Sequence, residues 1–531
     1  MTGGRAPGRA GLTGFGLGLA CFLLTALLGP SAVQPDLPGS GPPFSLTVHP
    51  SAYPVIALMA AGVLLSALGL GLCLYAVRCG WRCAARPLLI AGLLATAAFA
   101  LMPPVGSSDH LNYAGYGRMV VTGHDPYTTR ALDLPHDPVL GAVQDWQRAP
   151  SVYGPIVTLQ EAFASWIGGT SVRLTVFVLS VTNALAFALV GLMLYRCAGR
   201  GPQRLRGVLL WTLNPLMLFH LVGGAHNDTL GIAAAVGALA LFAPRVSRAV
   251  RSRTAVGPGD RFPSAARTLL SGALVGAGIA IKLPAGLVGG GPAWVLLRQW
   301  WVTRDRATVL RASALFAGAG FVVLVAFALA GPHAFDQVSK AANSVALASP
   351  WHLPDAALGV KRQRWVIRLG SMLLLVALVW LFARTIPNDL DPAATAPETA
   401  GGSSVGAVTE SRMIALALVL AWLFAAPYVL PWYDGLGWAM LALAPLRAWS
   451  RLEWAVLAHT AALSLAYLPA RGPEFARLPA GLDWLLTVVR PTVIPWVLTA
   501  VLLALVWGCL RGPRPAREPV RMPPAPAGPR R

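Results

Sequence analysis

Apolar runs of roughly 15 to 25 residues recur along this chain, the length a helix needs to cross a bilayer. Fourteen can be counted, at about 11–30, 53–77, 85–104, 171–195, 207–224, 229–243, 268–282, 284–298, 312–331, 366–384, 412–430, 436–446, 453–469 and 485–510. Of the 531 residues, 56% are hydrophobic and only 12% charged, about half the charged share of a soluble domain. The fold class is therefore all-α: a polytopic transmembrane protein of about 12–14 helices. Short runs such as 229–243 and 436–446 constrain the count least.

A net charge of +21 could indicate a nucleic-acid binder, but its distribution excludes that. With the N-terminus cytoplasmic, 29 of the 42 Lys and Arg residues fall on the inner side, twelve on the outer side, and Lys282 inside a run. Basic residues that retain a loop in the cytoplasm explain this pattern. The reading places both termini inside and Asp109 outside, in a multi-pass plasma-membrane protein. Residues 153–169 carry Gln160 and Glu161 and read as interfacial or re-entrant, since a crossing there would expose the basic stretch 196–206. Arg5 and Arg9 ahead of the first run fit a signal anchor. No cysteine falls in an outer loop, so no disulfide framework is expected. Cys79 and Cys83 lack the second ligand pair of a zinc site.

Four divisions follow: N-terminal transmembrane helices over 1–104, a large outer segment over 105–170, a helical core over 171–510, and a basic, Pro-rich disordered tail over 511–531. Segments 244–267 and 385–411 read as cytoplasmic linkers. Long loops in a compact protein are usually functional, and 105–170 is the outer segment richest in polar and aromatic residues. Within it, SSDHLNYAGYGRMVVTGHDPY begins a helix capped by Ser107 or Ser108 with Asp109 in its first turn. Asp109, Asn112 and Tyr116 share a face of that helix, and Arg118 extends it. The plainer reading is an amphipathic helix on the bilayer surface.

Other polar groups gather at outer ends of runs. GGAHND offers His226, Asn227 and Asp228, of which either of the last two could simply cap a helix. Lys282 in AIAIKLPAG ends an apolar helix, where a lysine is costly unless paired or snorkelling to the interface. GPHAFD carries His333 and Asp336, followed by Lys340 and the cluster Lys361, Arg362 and Arg364. PWYDG brings Trp432, Tyr433 and Asp434 to a turn, where an aromatic belt is an equal explanation. Together these suit a lipid-phosphate substrate: a groove for the tail, a cation for the phosphate, and an acid to activate an acceptor hydroxyl. No P-loop, strand-borne GxGxxG or soluble domain is present to hold a nucleotide sugar.

The run of motifs SSDHLNYAGYGRMVVTGHDPY, SVYGPI, LNPLMLFHLVGGAHNDTLG and IKLPA resembles the polyprenol-phosphate-mannose-dependent α-1,6-mannosyltransferases of Actinobacteria, within the GT-C glycosyltransferase class. The resemblance runs from about residue 100 to 300 and more loosely beyond. It implies a GT-C-type architecture with a functional first large outer loop. It also implies transfer of mannose from a polyprenyl-phosphate carrier to a lipid-anchored mannan on the outer face, a step of cell-envelope lipoglycan biosynthesis. Asp109 then occupies the position of the class's loop acid and serves as general base in an inverting single displacement. Lys282, Arg118 and His226 are the expected phosphate ligands, and Asn112, Tyr116, Asp125, Tyr127, Asn227 and Asp228 the expected sugar or acceptor contacts. The class often has two adjacent acids here, whereas Asp109 is followed by His110. That departure suits metal-free transfer, and no cofactor or metal is expected. The alternatives are another GT-C activity, arabinofuranosyl or protein mannosyl transfer, or a transporter or flippase of a lipid-linked solute. A transporter should also show matching polar groups reachable from the cytoplasm.

Overall fold

The computed structural model describes residues 4–199, 201–243, 262–335, 344–358, 364–385, 402–445 and 450–511. Most of the two linkers, the residues Asp336, Lys340, Lys361 and Arg362, and the tail beyond residue 511 lie outside the described residues. All fourteen apolar runs fall on helices. Among the described residues there are only two isolated β-bridges and no strand.

Among the described residues, eight helices are long and apolar enough to cross a membrane, and Ala85–Ala100, Asp228–Phe242 and Ala265–Ile281 are shorter apolar ones. A short helix is tolerated where it stands inside the bundle, as Asp228–Phe242 largely does, while Ala85–Ala100 and Ala265–Ile281 also expose Ile90, Leu94, Leu269 and Leu270. Asp434–Leu443 has only 10 residues and every one is buried, so it need not match the hydrocarbon thickness that a lipid-facing helix must. The broken span Pro202–Gly223 is likewise buried from Leu205 onward. It is a helix to Leu210, a turn, and a π-helical segment Leu218–Gly223.

Small residues bring the helices together, as expected where apolar burial no longer distinguishes helix from lipid. In α1 (Arg5–Leu28), Gly11 and Gly18 lie against Gly69 and Gly62 of α2 (Ala52–Arg78), close enough that a Cβ on Gly11 would meet the Gly69 carbonyl at 2.7 Å. Between α3 (Ala85–Ala100) and the next long helix stand α4 (Asp109–Val121) and α5 (Pro155–Gly168). The second has one buried face, with Val157, Glu161, Ala164 and Gly168, and one exposed apolar face, with Leu159, Phe163 and Trp166. That two-faced pattern fits the interfacial placement expected for it.

Polar contacts collect at both ends of the bundle. At one end Glu453 accepts from Arg78 at 2.5 Å and from Arg206, whose guanidinium also donates to the carbonyls of Leu441 and Ala444 at 2.8 and 2.9 Å. Arg298 pairs with Glu410 at 2.7 Å, and Arg267 caps the carbonyl of Ala243 at 2.8 Å. At the other end meet Ser31, Asp109, His226, Lys282, Trp432 and Arg471. The helix ends brought together at each end are those that simple alternation of fourteen runs assigns to one side.

Candidate functional site

The site is built from four chain segments that arrive at that second end. The first is the head of α4. Ser108 stands at its N-cap but makes no side-chain cap, while the Asp109 N–H donates to Ser107 Oγ at 3.1 Å. The second is the turn between Gly223 and α6, the name used here for Asp228–Phe242. Asn183 holds that turn by donating its amide to the carbonyls of Leu221 and His226 at 2.6 and 2.7 Å. The third is Lys282, the residue that ends the helix Ala265–Ile281. The fourth is the 431–433 turn leading into Asp434–Leu443.

Asp109 Oδ2 lies 3.6 Å from His226 Nδ1, with 15% of the Asp109 side chain still exposed. His226 Nδ1 is also 3.4 Å from the Tyr113 hydroxyl. The imidazole lies flat on Trp432, centroids 3.7 Å apart and planes 13° apart. Gly224 closes the ring's other edge, where a Cβ would sit 2.9 Å from Nε2. Stacking and crowding of this kind fix a ring's orientation. Lys282 Nζ donates to Asp228 Oδ1 at 2.7 Å and sits 3.9 Å above the Tyr433 ring and 5.8 Å from that of Tyr153. Burial pushes the Asp109 carboxyl up to about 7, with Asp145 and Asp228 adding to the effect and Lys282 opposing it. An acid in such surroundings holds its proton more firmly and becomes a stronger base once ionised. Glu161, buried on α5 beside Asn227, is driven well above the carboxylate range by burial.

Asp109, His226, Asp228 and Lys282 are therefore brought together, and Asn227 lies behind them, buried. Asn112 is buried one turn along α4, its amide nitrogen without a hydrogen-bond partner among the described residues. Tyr116 is two turns, about 10 Å, from the head of α4. Its hydroxyl donates to the Ala149 carbonyl at 3.3 Å, and its ring packs with Met119, Leu140 and Val143. Arg118 is not brought to the cluster: it pairs with Asp137 at 2.8 Å and reaches the Gly169 carbonyl at 3.4 Å. Asp125 accepts from the Tyr127 N–H at 2.8 Å, shaping the loop after α4, and the Tyr127 hydroxyl shares a hydrogen bond with Thr158 at 3.1 Å. Asp434, expected in an outer turn, is buried, taking hydrogen bonds from His459 Nδ1 at 2.9 Å and Thr460 Oγ1 at 2.7 Å.

Sequence reasoning left out of the site Tyr113, Tyr153, Asp145, Tyr467 and Arg471. Tyr113 was findable as the residue one turn from Asp109, and Tyr153 stands in the SVYGPI motif. Nothing in the sequence links Asp145 or Arg471 to Asp109. No group of three His, Cys, Asp or Glu side chains is placed to hold a metal ion among the described residues.

A small pocket opens at the ion pair, lined by Asp228, Lys282 and Tyr433 and then by apolar Ile232, Pro284, Ala285, Trp422 and Leu436. A multi-pass helical bundle with its polar and aromatic groups converging on an acid at one end is the frame of a membrane glycosyltransferase. The chain belongs to the α-(1→6)-mannopyranosyltransferase family: the profile described as "Alpha-(1->6)-mannopyranosyltransferase, N-terminal domain" matches residues 13–298. A probable α-(1→6)-mannopyranosyltransferase of Mycolicibacterium smegmatis is 24% identical over 81% of this chain and 76% of its own. An α-(1→6)-mannopyranosyltransferase of Mycobacterium tuberculosis is 24% identical over 77% and 72%. Corynebacterium glutamicum α-(1→6)-mannopyranosyltransferase A is 30% identical over 24% of this chain and 26% of its own. Among solved structures, ArnT from Cupriavidus metallidurans bound to undecaprenyl phosphate aligns over 75% of each chain, at 15% identity and a TM-score of 0.31.

Proposed function

We propose that this enzyme moves mannose from a polyprenyl-phosphate carrier to a lipid-anchored mannan acceptor, forming an α-1,6 bond on the extracytoplasmic face. The observation that carries the reading is the pocket at Lys282, polar at its head and apolar along its walls, next to Asp109. A phosphate on an isoprenoid tail has that same division. The excess of Lys and Arg at the opposite end of the bundle supports the assignment of faces, with residues 105–170 as the catalytic loop between the helical parts 1–104 and 171–510.

In this reading the acceptor hydroxyl attacks the anomeric carbon from the face opposite the phosphate, in a single inverting step. Asp109 takes the hydroxyl proton as the new glycosidic bond forms and the sugar–phosphate bond breaks. The phosphate leaves with the electron pair, held by Lys282, whose charge Asp228 keeps in place, and approached by His226. Arg118, engaged with Asp137, has no part in that holding. Membranes bearing wild type or Asp109→Asn, given radiolabelled polyprenyl-phosphate mannose and a short α-mannoside, test the assignment. The variant is expected to lose about 10²- to 10⁴-fold in rate at equal expression. Undiminished transfer by Asp109→Asn would remove the base, and transfer from a different lipid-linked sugar alone would remove the donor.

A further inference from the structure

We infer that Asp145 is a positioning residue for Asp109, clasping the head of α4 to the 470–472 segment and bringing a second carboxyl group to the residue beside Asp109. This deepens, and rests on, the reading of Asp109 as the base.

The stretch leading into Asp109 is stitched to three distant segments. The Val105 N–H donates to the Gly223 carbonyl at 2.8 Å, the Gly106 N–H to the Val33 carbonyl at 2.8 Å, and the Ala470 N–H to the Gly106 carbonyl at 3.0 Å. Ser108 stands where a helix-capping hydroxyl is expected, yet its Oγ donates to Asp145 Oδ2 instead of to its own helix. The other oxygen, Oδ1, accepts from the Gly472 N–H at 2.9 Å. A Cβ at 472 would lie 2.6 Å from Asp145 Oδ1, so a larger residue there would push that carboxyl group aside. Arg471 ties the same corner by donating to the Ser31 carbonyl at 2.7 Å and to Gln144 Oε1 at 2.5 Å. The matched family profile ends at residue 298, so the clasp is closed by the half of the chain beyond it.

A hydroxyl and a backbone N–H orient the Asp145 carboxyl group, and Arg471 and Arg490 are the cations that interact with it. The same group also acts on the neighbouring acid, Asp109. After burial, Asp145 is the largest influence raising Asp109. The other titratable groups around Asp109 are Tyr113 and Tyr116 on α4, Tyr153, His226 and Asp228, Lys282, and Tyr428, Tyr433 and Tyr467 from the C-terminal half. Only Asp145 is joined to the capping residue beside Asp109. A like charge nearby disfavours ionisation and so makes the ionised acid a better base toward a weakly acidic sugar hydroxyl.

The test uses the full chain in membranes, with Asp145→Asn, Asp145→Glu and, as a control in the same loop, Asp137→Asn. Two quantities are followed against pH: kcat/KM for mannosyl transfer, and carbodiimide labelling of the protonated Asp109 carboxyl, located by mass spectrometry. Asp145→Asn should move both the acid limb of activity and the labelling midpoint to lower pH by about one unit, with Asp145→Glu restoring them and Asp137→Asn leaving them in place. An unmoved labelling midpoint in folded Asp145→Asn, or an equal shift in Asp137→Asn, overturns the inference. Should Asp145→Asn not accumulate, Ser108→Ala unties the clasp and leaves the charge. It should lower kcat without moving the limb, and wild-type kcat there overturns the clasp. A labelling shift beside a fully active Asp109→Asn would keep the electrostatic coupling and discard the base. A fixed midpoint beside an inactive Asp109→Asn would do the reverse.

Discussion

At the scale of single residues, the chemistry follows from what surrounds each polar group. Asp109 stands at a helix head, which favours its charge, yet burial and two neighbouring acids outweigh that and raise it to about 7. The direction fixes the pH dependence. Below that value the carboxyl is protonated and cannot take the acceptor's proton as the proposed mechanism requires. Wild-type kcat/KM should therefore fall about tenfold per pH unit on the acid side, with its limb near pH 7. A limb near 4, measured in the same membranes, would show that Asp109 titrates as an ordinary exposed acid. Lys282 was recognisable because a lysine ending an apolar helix is costly without a partner, and the partner found is Asp228. Tyr116 and Arg118 meet partners away from the cluster for one reason. Helical period tells which residues share a face, while the neighbour that meets each turn depends on packing.

At the scale of elements, the position of α4 depends on how closely it can approach α5. Gly117 is the contact point: a Cβ there would lie 2.0 Å from the Glu161 carbonyl oxygen, a backbone atom that cannot swing aside. Gly117→Ala should push the two helices apart and cost about 1–3 kcal/mol. Because α4 carries Asp109 at its head, transfer should fall as well. Thermal unfolding in detergent together with transfer in membranes checks both effects, and an unaltered unfolding temperature would show that α5 yields without cost. The short helix Asp434–Leu443 makes a related point. Its 10 residues rise about 15 Å, half a bilayer core, and it stands because other helices, rather than lipid, surround it.

At the scale of the whole molecule, the two polar ends of the bundle have different work. One carries the proposed site. The other is tied by Glu453, which is 1% exposed and shared by Arg206 and Arg78 from two other helices. Replacing Glu453 with Ala leaves a buried guanidinium uncompensated and should destabilise the protein by about 3–5 kcal/mol. The protein that does accumulate should keep its KM for the donor, since the change lies at the far end from Lys282. A donor KM raised in proportion to the lost stability would show that the two ends are coupled. Taken by itself, the sequence determined the helical membrane class, all fourteen helical runs and the alternation that sorts their ends, and it offered the acid, lysine and His–Asn–Asp turn as the candidates on which the proposed site rests. These are local properties: run length, charge placement, and polar groups where apolar ones are expected. Only the tertiary structure decided that Trp432 backs His226, that Asp228 pairs with Lys282, that Arg118 belongs to Asp137, and that Asp145 and Gly472 hold the head of α4. Those contacts join separate segments of the chain, and what selects them is how helices and loops pack against one another, which no local pattern encodes.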